Sequence, residues 1–301
     1  MSAHVRTPGG YAEPEMYTAL RLLCAEARLD PTGAVLLRGQ TNAVLRLSGE
    51  PVVVKIARRG TPTHRVSQTV GLVQWLTALD FPTVKLHPIE QPVIVGEYVG
   101  TFYTYLPQPP DALRTVDLAR PLQALHSIGP APVALPALDA ITAIKRSLAA
   151  AVTLSAADHR FLTKRVDQLA NETVTLRYDH PTAVLHGDPQ HGNALHHPDG
   201  GTMLCDWDSA ATGQPEWDLV TIEIHNRRFG HSSENYREFS EAYGYDVTSW
   251  RGYRTLCDLR ELRMVTTNAR KSAHEADKMR EISARIDGLR QQDHTQRWQI
   301  M

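Results

Sequence analysis

Two kinds of hydrophobic pattern divide the chain. From about residue 34 to 106, short apolar runs predict strands, and 52–56, 91–99 and 100–106 are the clearest of them. Apolar residues with helical spacing dominate most of the remaining chain. The predicted helical segments are 14–28, 64–79, 116–128, 137–151, 155–172 and 216–290. A sheet-rich part followed by a mostly helical part predicts an α+β fold.

A proline-rich stretch separates these two parts. Residues 107–111 read Pro-Gln-Pro-Pro-Asp, and stacked prolines favour an extended chain. We therefore expect a small N-terminal lobe at 1–106, which begins with a helix, and a larger C-terminal lobe at 107–301.

Composition narrows the class of protein. A chain of 301 residues with 42% apolar content is long enough for two lobes around one cleft. The net charge of −1 gives no reason to expect nucleic acid or a membrane surface as partner. No apolar run reaches the length of a transmembrane helix, and the polar N-terminus lacks a signal-peptide core. The three cysteines are few, distant and odd in number, which predicts a reducing cytoplasm rather than a disulfide framework.

The strongest functional signal is the stretch 186–193, His-Gly-Asp-Pro-Gln-His-Gly-Asn, followed by Asp-Trp-Asp at 206–208. Phosphoryl transfer needs this layout, because one carboxylate orients the attacking hydroxyl while an amide and a second carboxylate hold magnesium. Short strands are expected at 182–185, 194–196 and 202–205. The Pro-Asp-Gly-Gly turn at 198–201 joins the last two into a hairpin. This hairpin is expected to bring Asp188, Asn193 and Asp206 together.

These residues resemble the signature of the aminoglycoside phosphotransferase (choline kinase-like) family, which has a two-lobed protein-kinase-like fold. The stretch 209–219, with its Gly-x-Pro turn and Asp-Leu pair, resembles the family beyond the second motif. The resemblance implies that Asp188 is the catalytic base and that Asn193 and Asp206 bind magnesium. It also implies that Asp208 is a supporting carboxylate at the metal and that Asp218 is a structural helix cap.

The resemblance extends to a nucleotide-binding N-terminal lobe and implies ATP or GTP as the phosphoryl donor, together with Mg²⁺. The stretch 39–47 resembles the family's nucleotide-positioning loop, whose backbone N–H groups can approach phosphates closely. Lys55 is the one charged residue of an apolar strand, so it needs an anionic partner. The cofactor-binding residues implied in this way are Gly39, Thr41, Asn42, Lys55 and, for adenine at the hinge, Tyr105 and Leu106.

One element of the family pattern is missing. The helix at 64–79 contains no Asp or Glu, although the family places there a glutamate that pairs with the lysine. By its spacing, Gln68 lies near that position and could hydrogen-bond Lys55 more weakly than a carboxylate would.

The resemblance implies a small-molecule acceptor with a hydroxyl group, bound between the catalytic loop and the C-terminal helices. Residues 219–301 hold 12 Asp plus Glu against 14 Lys plus Arg, so this segment is not acidic. An aminoglycoside-like antibiotic, an amino-sugar, a sugar or another metabolite therefore all stay open as acceptors. The candidate acceptor residues are Trp217, Glu223, His225, Arg227, Tyr236, Asp258 and Glu261.

Two other functions compete with this interpretation. The missing glutamate would suit a nucleotide-binding pseudokinase that acts as a regulator. His191, His196 and His197, with Asp188 and Asp206, could instead form the metal site of a hydrolase, although zinc sites favour other spacings.

Overall fold

The structure is a computed structural model that describes residues 8–39, 41–272 and 275–301. Gln40 of the expected phosphate loop lies outside the described residues. The contacts divide the chain into two compact units. The first unit takes in Met1–Ala112, Ala131–Leu135 and Leu195–Ser209, and the second takes in Leu113–Pro130, Pro136–Ala194 and Ala210–Met301.

An antiparallel five-stranded sheet forms the centre of the first unit, in the order β1-β2-β3-β5-β4. Its strands are β1 (Val35–Arg38), β2 (Ala43–Arg46), β3 (Val52–Ile56), β4 (Val93–Val95) and β5 (Tyr98–Thr104). The helix α1 (Glu13–Ala27) precedes the strands in sequence, and α2 (Thr63–Ala78) lies between β3 and β4. Leu20 and Leu23 of α1 are buried in the same core as Leu45, Val54 and Phe102 of the strands. Side chains alternate between the two faces of each strand, so the apolar side chains of one face pack against the apolar side of the amphipathic helix α1.

A hairpin from later in the sequence completes the first unit. β7 (Ala194–His196) pairs with β8 (Thr202–Leu204). Gly200 and Gly201 turn the chain between them with φ of 94° and 88°, a region that favours glycine. The N–H of Leu204 donates to Pro82 O at 2.8 Å, and this bond ties the hairpin to the segment before β4. The predicted hairpin is confirmed, and the 206–208 motif directly follows its second strand.

The second unit is mainly helical. A two-stranded antiparallel pair, β6 (Ala183–Leu185) with β9 (Ala211–Gly213), carries the catalytic loop at its end. Ser155 caps α5 by accepting from Asp158 N–H at 3.1 Å, as its position in the sequence predicts. The helices are α3 (Ala119–Ser127), α4 (Ala140–Ala149), α5 (Ala156–Val174), α6 (Glu216–Arg228), α7 (Ser233–Tyr243), α8 (Tyr253–Lys271) and α9 (Ala276–Gln291). Within the described part of the chain, no helix combines the length and the apolar character needed to cross a membrane.

Candidate active site

Asp218 holds the loop that follows β6. Its Oδ2 accepts from His186 N–H at 2.8 Å and its Oδ1 accepts from Gly187 N–H at 2.9 Å. Gly187 has φ of 81°, a left-handed conformation in which a side chain would be strained. Asp218 is fully buried in the first turn of α6, where Pro215 is the N-cap residue. The expectation that Asp218 caps this helix is therefore wrong, because its carboxylate anchors the catalytic loop instead.

The ring of His186 supports the same loop. Its Nδ1 accepts from Asp188 N–H at 3.4 Å, and the residue is fully buried. The indole N–H of Trp217 donates to Gly187 O at 3.3 Å. These contacts fix the backbone on both sides of Asp188, so His186 has a structural role.

Asp188 has one carboxylate oxygen held tightly and the other held loosely. Its Oδ1 accepts from Arg260 Nη2 at 2.6 Å, whereas its Oδ2 has only long contacts, to Gln190 Nε2 at 3.4 Å and Asn193 Nδ2 at 3.5 Å. Burial opposes ionisation of this carboxyl, but the positive charge of Arg260, with smaller contributions from His225 and His186, lowers its pKa. Asp188 is thus a carboxylate at neutral pH.

Asn193 lies beside Asp188 in a short 3₁₀ turn. Its Nδ2 donates to the backbone oxygen of Asp188 at 3.0 Å, and the side chain is buried. This bond orients the amide group, with its oxygen as the acceptor end.

In the first unit, Lys55 is paired with two carboxylates. Its Nζ lies 2.6 Å from Asp206 Oδ1 and 2.8 Å from Asp208 Oδ1. Burial opposes the charge on Lys55, but Asp208 and Asp206 together raise its pKa. Gln68 instead donates to Ala134 O at 2.8 Å. The 206–208 motif therefore supplies the anionic partners that α2 lacks.

Asn42 links the expected phosphate loop to this cluster. Its Nδ2 donates to Asp208 Oδ2 at 2.6 Å, and its Oδ1 accepts from Arg58 N–H at 3.0 Å. Both ends of the side chain are thus engaged within the protein, and Asp208 bridges Asn42 to Lys55. Asp206 has φ of 63°, a conformation that aspartate tolerates better than most residues and that recurs at functional sites.

The donor set in the first unit suits a hard divalent cation. Two half-exposed carboxylates, Asp206 and Asp208, lie at the ammonium group of Lys55 and present oxygen atoms as possible ligands. Mg²⁺ takes one or two carboxylates and completes its shell with phosphate and water.

The segment after β5, which is expected to bind adenine, has some of its backbone groups already hydrogen-bonded within the protein. Tyr105 N–H donates to Pro51 O at 2.7 Å, and the Tyr105 ring lies under the Arg46 guanidinium at 5.0 Å. Leu106 O accepts from Gln108 Nε2 at 3.3 Å. The Tyr105 N–H and the Leu106 carbonyl are thus already hydrogen-bonded within the protein.

The sequence of residues 32–256 matches the model of the phosphotransferase enzyme family (APH). The chain belongs to this family. It is accordingly a phosphotransferase of the small-molecule kinase class, which sets aside the regulator and the hydrolase as alternatives. No curated protein sequence matches the chain significantly.

Solved structures of this fold resemble the chain over nearly its whole length. The amicoumacin kinase hAmiN, in complex with AMP-PNP, Ca²⁺ and Ami, has a TM-score of 0.69 at 13% identity, covering 95% of this chain and 98% of its own. Choline kinase LicA from Streptococcus pneumoniae has a TM-score of 0.66 at 16% identity, covering 91% and 99%. The GDP and kanamycin complex of APH(2'')-IIIa has a TM-score of 0.63 at 16% identity, covering 92% and 99%. The predicted α+β, protein-kinase-like fold class is confirmed.

The three histidines of the alternative hydrolase metal site each have a different partner. His191 bonds to Thr115 and stacks on His231, with ring centroids 4.9 Å apart. The ring of His196 bonds to Asp111 O at 2.9 Å, and His197 Nδ1 accepts from Asp199 N–H at 3.0 Å. Within residues 8–39, 41–272 and 275–301, no three His, Cys, Asp or Glu side chains are grouped to hold a metal ion.

The acidic residues expected near the acceptor are already paired with arginines. Glu261 is fully buried and binds Arg228 at 2.7 Å and Arg227 at 2.9 Å. Arg227 also binds Glu223, at 2.8 Å.

Two further acceptor candidates have partners of their own. Asp258 binds Arg165 at 2.6 Å and also pairs with Arg254, while the hydroxyl of Tyr236 donates to Asp246 at 3.0 Å. The acidic candidates of the second unit therefore serve ion pairs that join its helices.

Of the acceptor candidates, Trp217 and His225 lie near Asp188. Burial and the charge of Arg260 lower the pKa of His225 to about 4, against the opposing effect of Asp188. Arg260 and Arg263 also lie in this group, with guanidinium carbons 5.3 and 5.4 Å from the Trp217 ring centroid. The sequence analysis missed both arginines, since nothing in one sequence distinguishes them from the other arginines of α8.

Proposed function

We propose that the enzyme transfers the γ-phosphoryl group of ATP or GTP to a hydroxyl group of a small molecule. The observation that supports this proposal most directly is the ionisation and the hydrogen bonding of Asp188. The carboxylate is ionised, one oxygen is fixed by Arg260, and the other has only long contacts.

In this proposal, Asp188 Oδ2 accepts the hydrogen bond of the acceptor hydroxyl and aims its oxygen at the phosphorus. Because Arg260 lowers the pKa of Asp188, the carboxylate is a weak base. It therefore orients the nucleophile first and receives the proton late, as the γ-phosphoryl group moves. Phosphoryl transfer places its main demand on such positioning.

Lys55 binds the phosphates of the nucleotide in this scheme. Its Nζ has three N–H donors, so it can hold a phosphate oxygen while keeping a bond to Asp206 or Asp208. Asp206, assisted by Asp208 and by Asn193, would hold Mg²⁺, which would neutralise the negative charge of the phosphates. Gly39 and Thr41 would approach the phosphates through the backbone, while Asn42 keeps the loop attached to Asp208.

The related structures support a nucleotide as the phosphoryl donor but do not distinguish adenine from guanine as its base. AMP-PNP is an adenine nucleotide and GDP a guanine nucleotide, and each stands in the complex of a protein with this fold. The acceptors named with them, amicoumacin, choline and kanamycin, are chemically diverse.

An acceptor screen tests the proposal. Purified protein is incubated with ATP or GTP, Mg²⁺ and pools of hydroxylated metabolites and antibiotics, and phosphorylated products are identified by mass spectrometry. We expect a phosphorylated product from wild-type protein and its loss with Asp188→Asn. Equal product formation by both proteins, or a product phosphorylated at a group other than a hydroxyl, would overturn the proposed reaction.

A further inference from the structure

Two arginines one turn apart on α8 surround the catalytic carboxylate with positive charge. Arg260 binds Asp188 at 2.6 Å, and its guanidinium carbon lies 5.3 Å from the Trp217 ring centroid. Arg263 lies on the same indole, at 5.4 Å. Because both guanidinium groups contact one side chain, they are neighbours at the same site.

Most of their hydrogen-bond donors are unused within the protein. Arg260 donates through Nε to Thr221 at 2.8 Å and through Nη2 to Asp188, which are two of its five N–H groups. The guanidinium group of Arg263 forms no hydrogen bond or ion pair with any described residue, and its contact is the face of Trp217. Among the described residues, Glu216 Oε2 is the one fully buried side-chain nitrogen or oxygen atom without a partner, so the arginine nitrogens without a protein partner are not fully buried.

The Arg263 guanidinium lacks a direct ion-pair partner among the described residues. Burial and the neighbouring charge of Arg260 lower the pKa of Arg263 to about 10, although Asp188 and Asp139 act in the opposite direction. Asp139 is itself the N-cap of α4 and accepts from Thr142 N–H at 2.9 Å. Arg263 thus interacts electrostatically with Asp188 and Asp139 but forms no ion pair with either, and such a half-buried guanidinium is stabilised by an anion that supplies the missing acceptors.

Nearby acidic residues do not offset this charge. Glu223 and Glu261 are bound to Arg227, and Asp258 is bound to Arg165. A polycationic acceptor would therefore meet repulsion from Arg260 and Arg263, and none of these three carboxylates is free to attract it.

We propose that Arg260 and Arg263 bind an oxyanion of the acceptor, so that the substrate is a hydroxylated carboxylate or phosphate ester rather than a polyamine. This inference rests on the proposed function for the role of Asp188. The planar guanidinium groups match the paired oxygens of such an anion. Arg260 then links the anion to Asp188 and positions the substrate hydroxyl near the free Oδ2.

Binding of a simple oxyanion tests the site without requiring turnover. The full-length protein, saturated with ADP so that its phosphate-binding groups are occupied, is titrated calorimetrically with sulfate and with chloride at matched ionic strength. Arg263→Met removes the charge but keeps aliphatic contact with Trp217, and Arg263→Lys keeps the charge. Arg280→Gln on α9 is the control, because Arg280 is exposed and pairs with Asp277.

Turnover of acceptors of similar size and different charge provides the second measurement. Gluconate, glucose 6-phosphate, glucose and glucosamine are compared by nucleoside diphosphate release. We expect the anionic acceptors to have the lowest KM. Arg263→Met should raise that KM by about 10- to 100-fold, the effect of one charge-assisted contact, with little change for glucose. Arg263→Lys should restore part of the affinity, and Arg280→Gln should match wild type.

The inference is overturned if wild-type protein does not bind sulfate in preference to chloride, or if Arg263→Met binds sulfate as tightly as wild type. It also fails if glucosamine is the preferred acceptor. Sulfate binding that depends on Arg263, together with no phosphoryl transfer to any acceptor, would support the anion site and contradict the proposed function. The two claims can therefore fail separately.

Discussion

Replacing Lys55 by methionine should weaken both the folded state and the use of nucleotide. The Lys55 side chain is 10% exposed, while Asp206 and Asp208 are 42% and 41% exposed. Removing one partner of a fully buried pair costs about 3–5 kcal/mol, whereas an exposed pair contributes about 0–1 kcal/mol. Because the two carboxylates can regain water, we expect a loss of about 2 kcal/mol, between these limits.

Lys55→Met should also raise the KM for ATP, and this effect is separate from the loss of stability. A hydrogen bond to a charged group contributes about 1.5–3 kcal/mol, so loss of the contact with a phosphate should raise the KM for ATP by roughly 10- to 100-fold. Urea denaturation measures the first effect, and steady-state kinetics with the best acceptor measure the second. Lys145→Met is the matched control, because Lys145 forms an exposed pair with Asp167 at 2.8 Å.

Unchanged stability and unchanged KM for ATP in Lys55→Met would refute this reasoning. A stability loss without a change in KM would show that Lys55 only neutralises the 206–208 motif. The control should differ from wild type by no more than about 0.5 kcal/mol.

Three further predictions concern other groups of the site. Asp206→Asn should abolish Mg²⁺-dependent turnover while the far-ultraviolet circular dichroism spectrum stays that of wild type; full activity would contradict its role. Asp218→Ala should lower the free energy of unfolding by about 3 kcal/mol or more, because it leaves the buried N–H groups of His186 and Gly187 unpaired; a loss below 1 kcal/mol in urea denaturation would count against the anchor. His225 has a pKa of about 4 in the folded protein, so the unfolded chain takes up its proton first as pH falls below 6.5. Wild-type stability should therefore fall from pH 6.5 to 4 by about 3 kcal/mol more than that of His225→Gln, and parallel pH profiles of the two proteins would refute this assignment.

The catalytic loop could be predicted from the sequence because its parts are local. Asp188 and Asn193 are five residues apart, and the structure joins them directly through a hydrogen bond of 3.0 Å. The turn at 198–201 has the glycine that its backbone requires, so the hairpin was also predictable.

The partners of Lys55 could not be predicted in the same way. The sequence showed that the lysine needs an anion and that α2 lacks one, but the answer lies about 150 residues later, at Asp206 and Asp208. The pattern of neighbouring residues does not show which residues come into contact when they are so far apart in the sequence. The family places a glutamate on the helix that corresponds to α2. In this chain the second carboxylate of the 206–208 motif takes the place of that glutamate as a partner of Lys55.

The acceptor residues show a related limit. Glu223, Asp258 and Glu261 are acceptor candidates in the sequence because they lie on the C-terminal helices, next to which the family binds its acceptor. The structure pairs each of them with an arginine of its own unit. Total charge along a segment does not show which charges neutralise each other, and only their positions distinguish Arg260 and Arg263 from arginines in ion pairs.

The central claim is that Asp188 orients the acceptor hydroxyl for phosphoryl transfer. The most direct measurement compares wild type with Asp188→Asn in kcat and in the affinity for nucleotide, measured on the same preparations. We predict that kcat falls by about 10²- to 10⁴-fold, as expected for loss of acid–base assistance, while the Kd for ATP changes less than threefold. A wild-type kcat in Asp188→Asn would contradict the account.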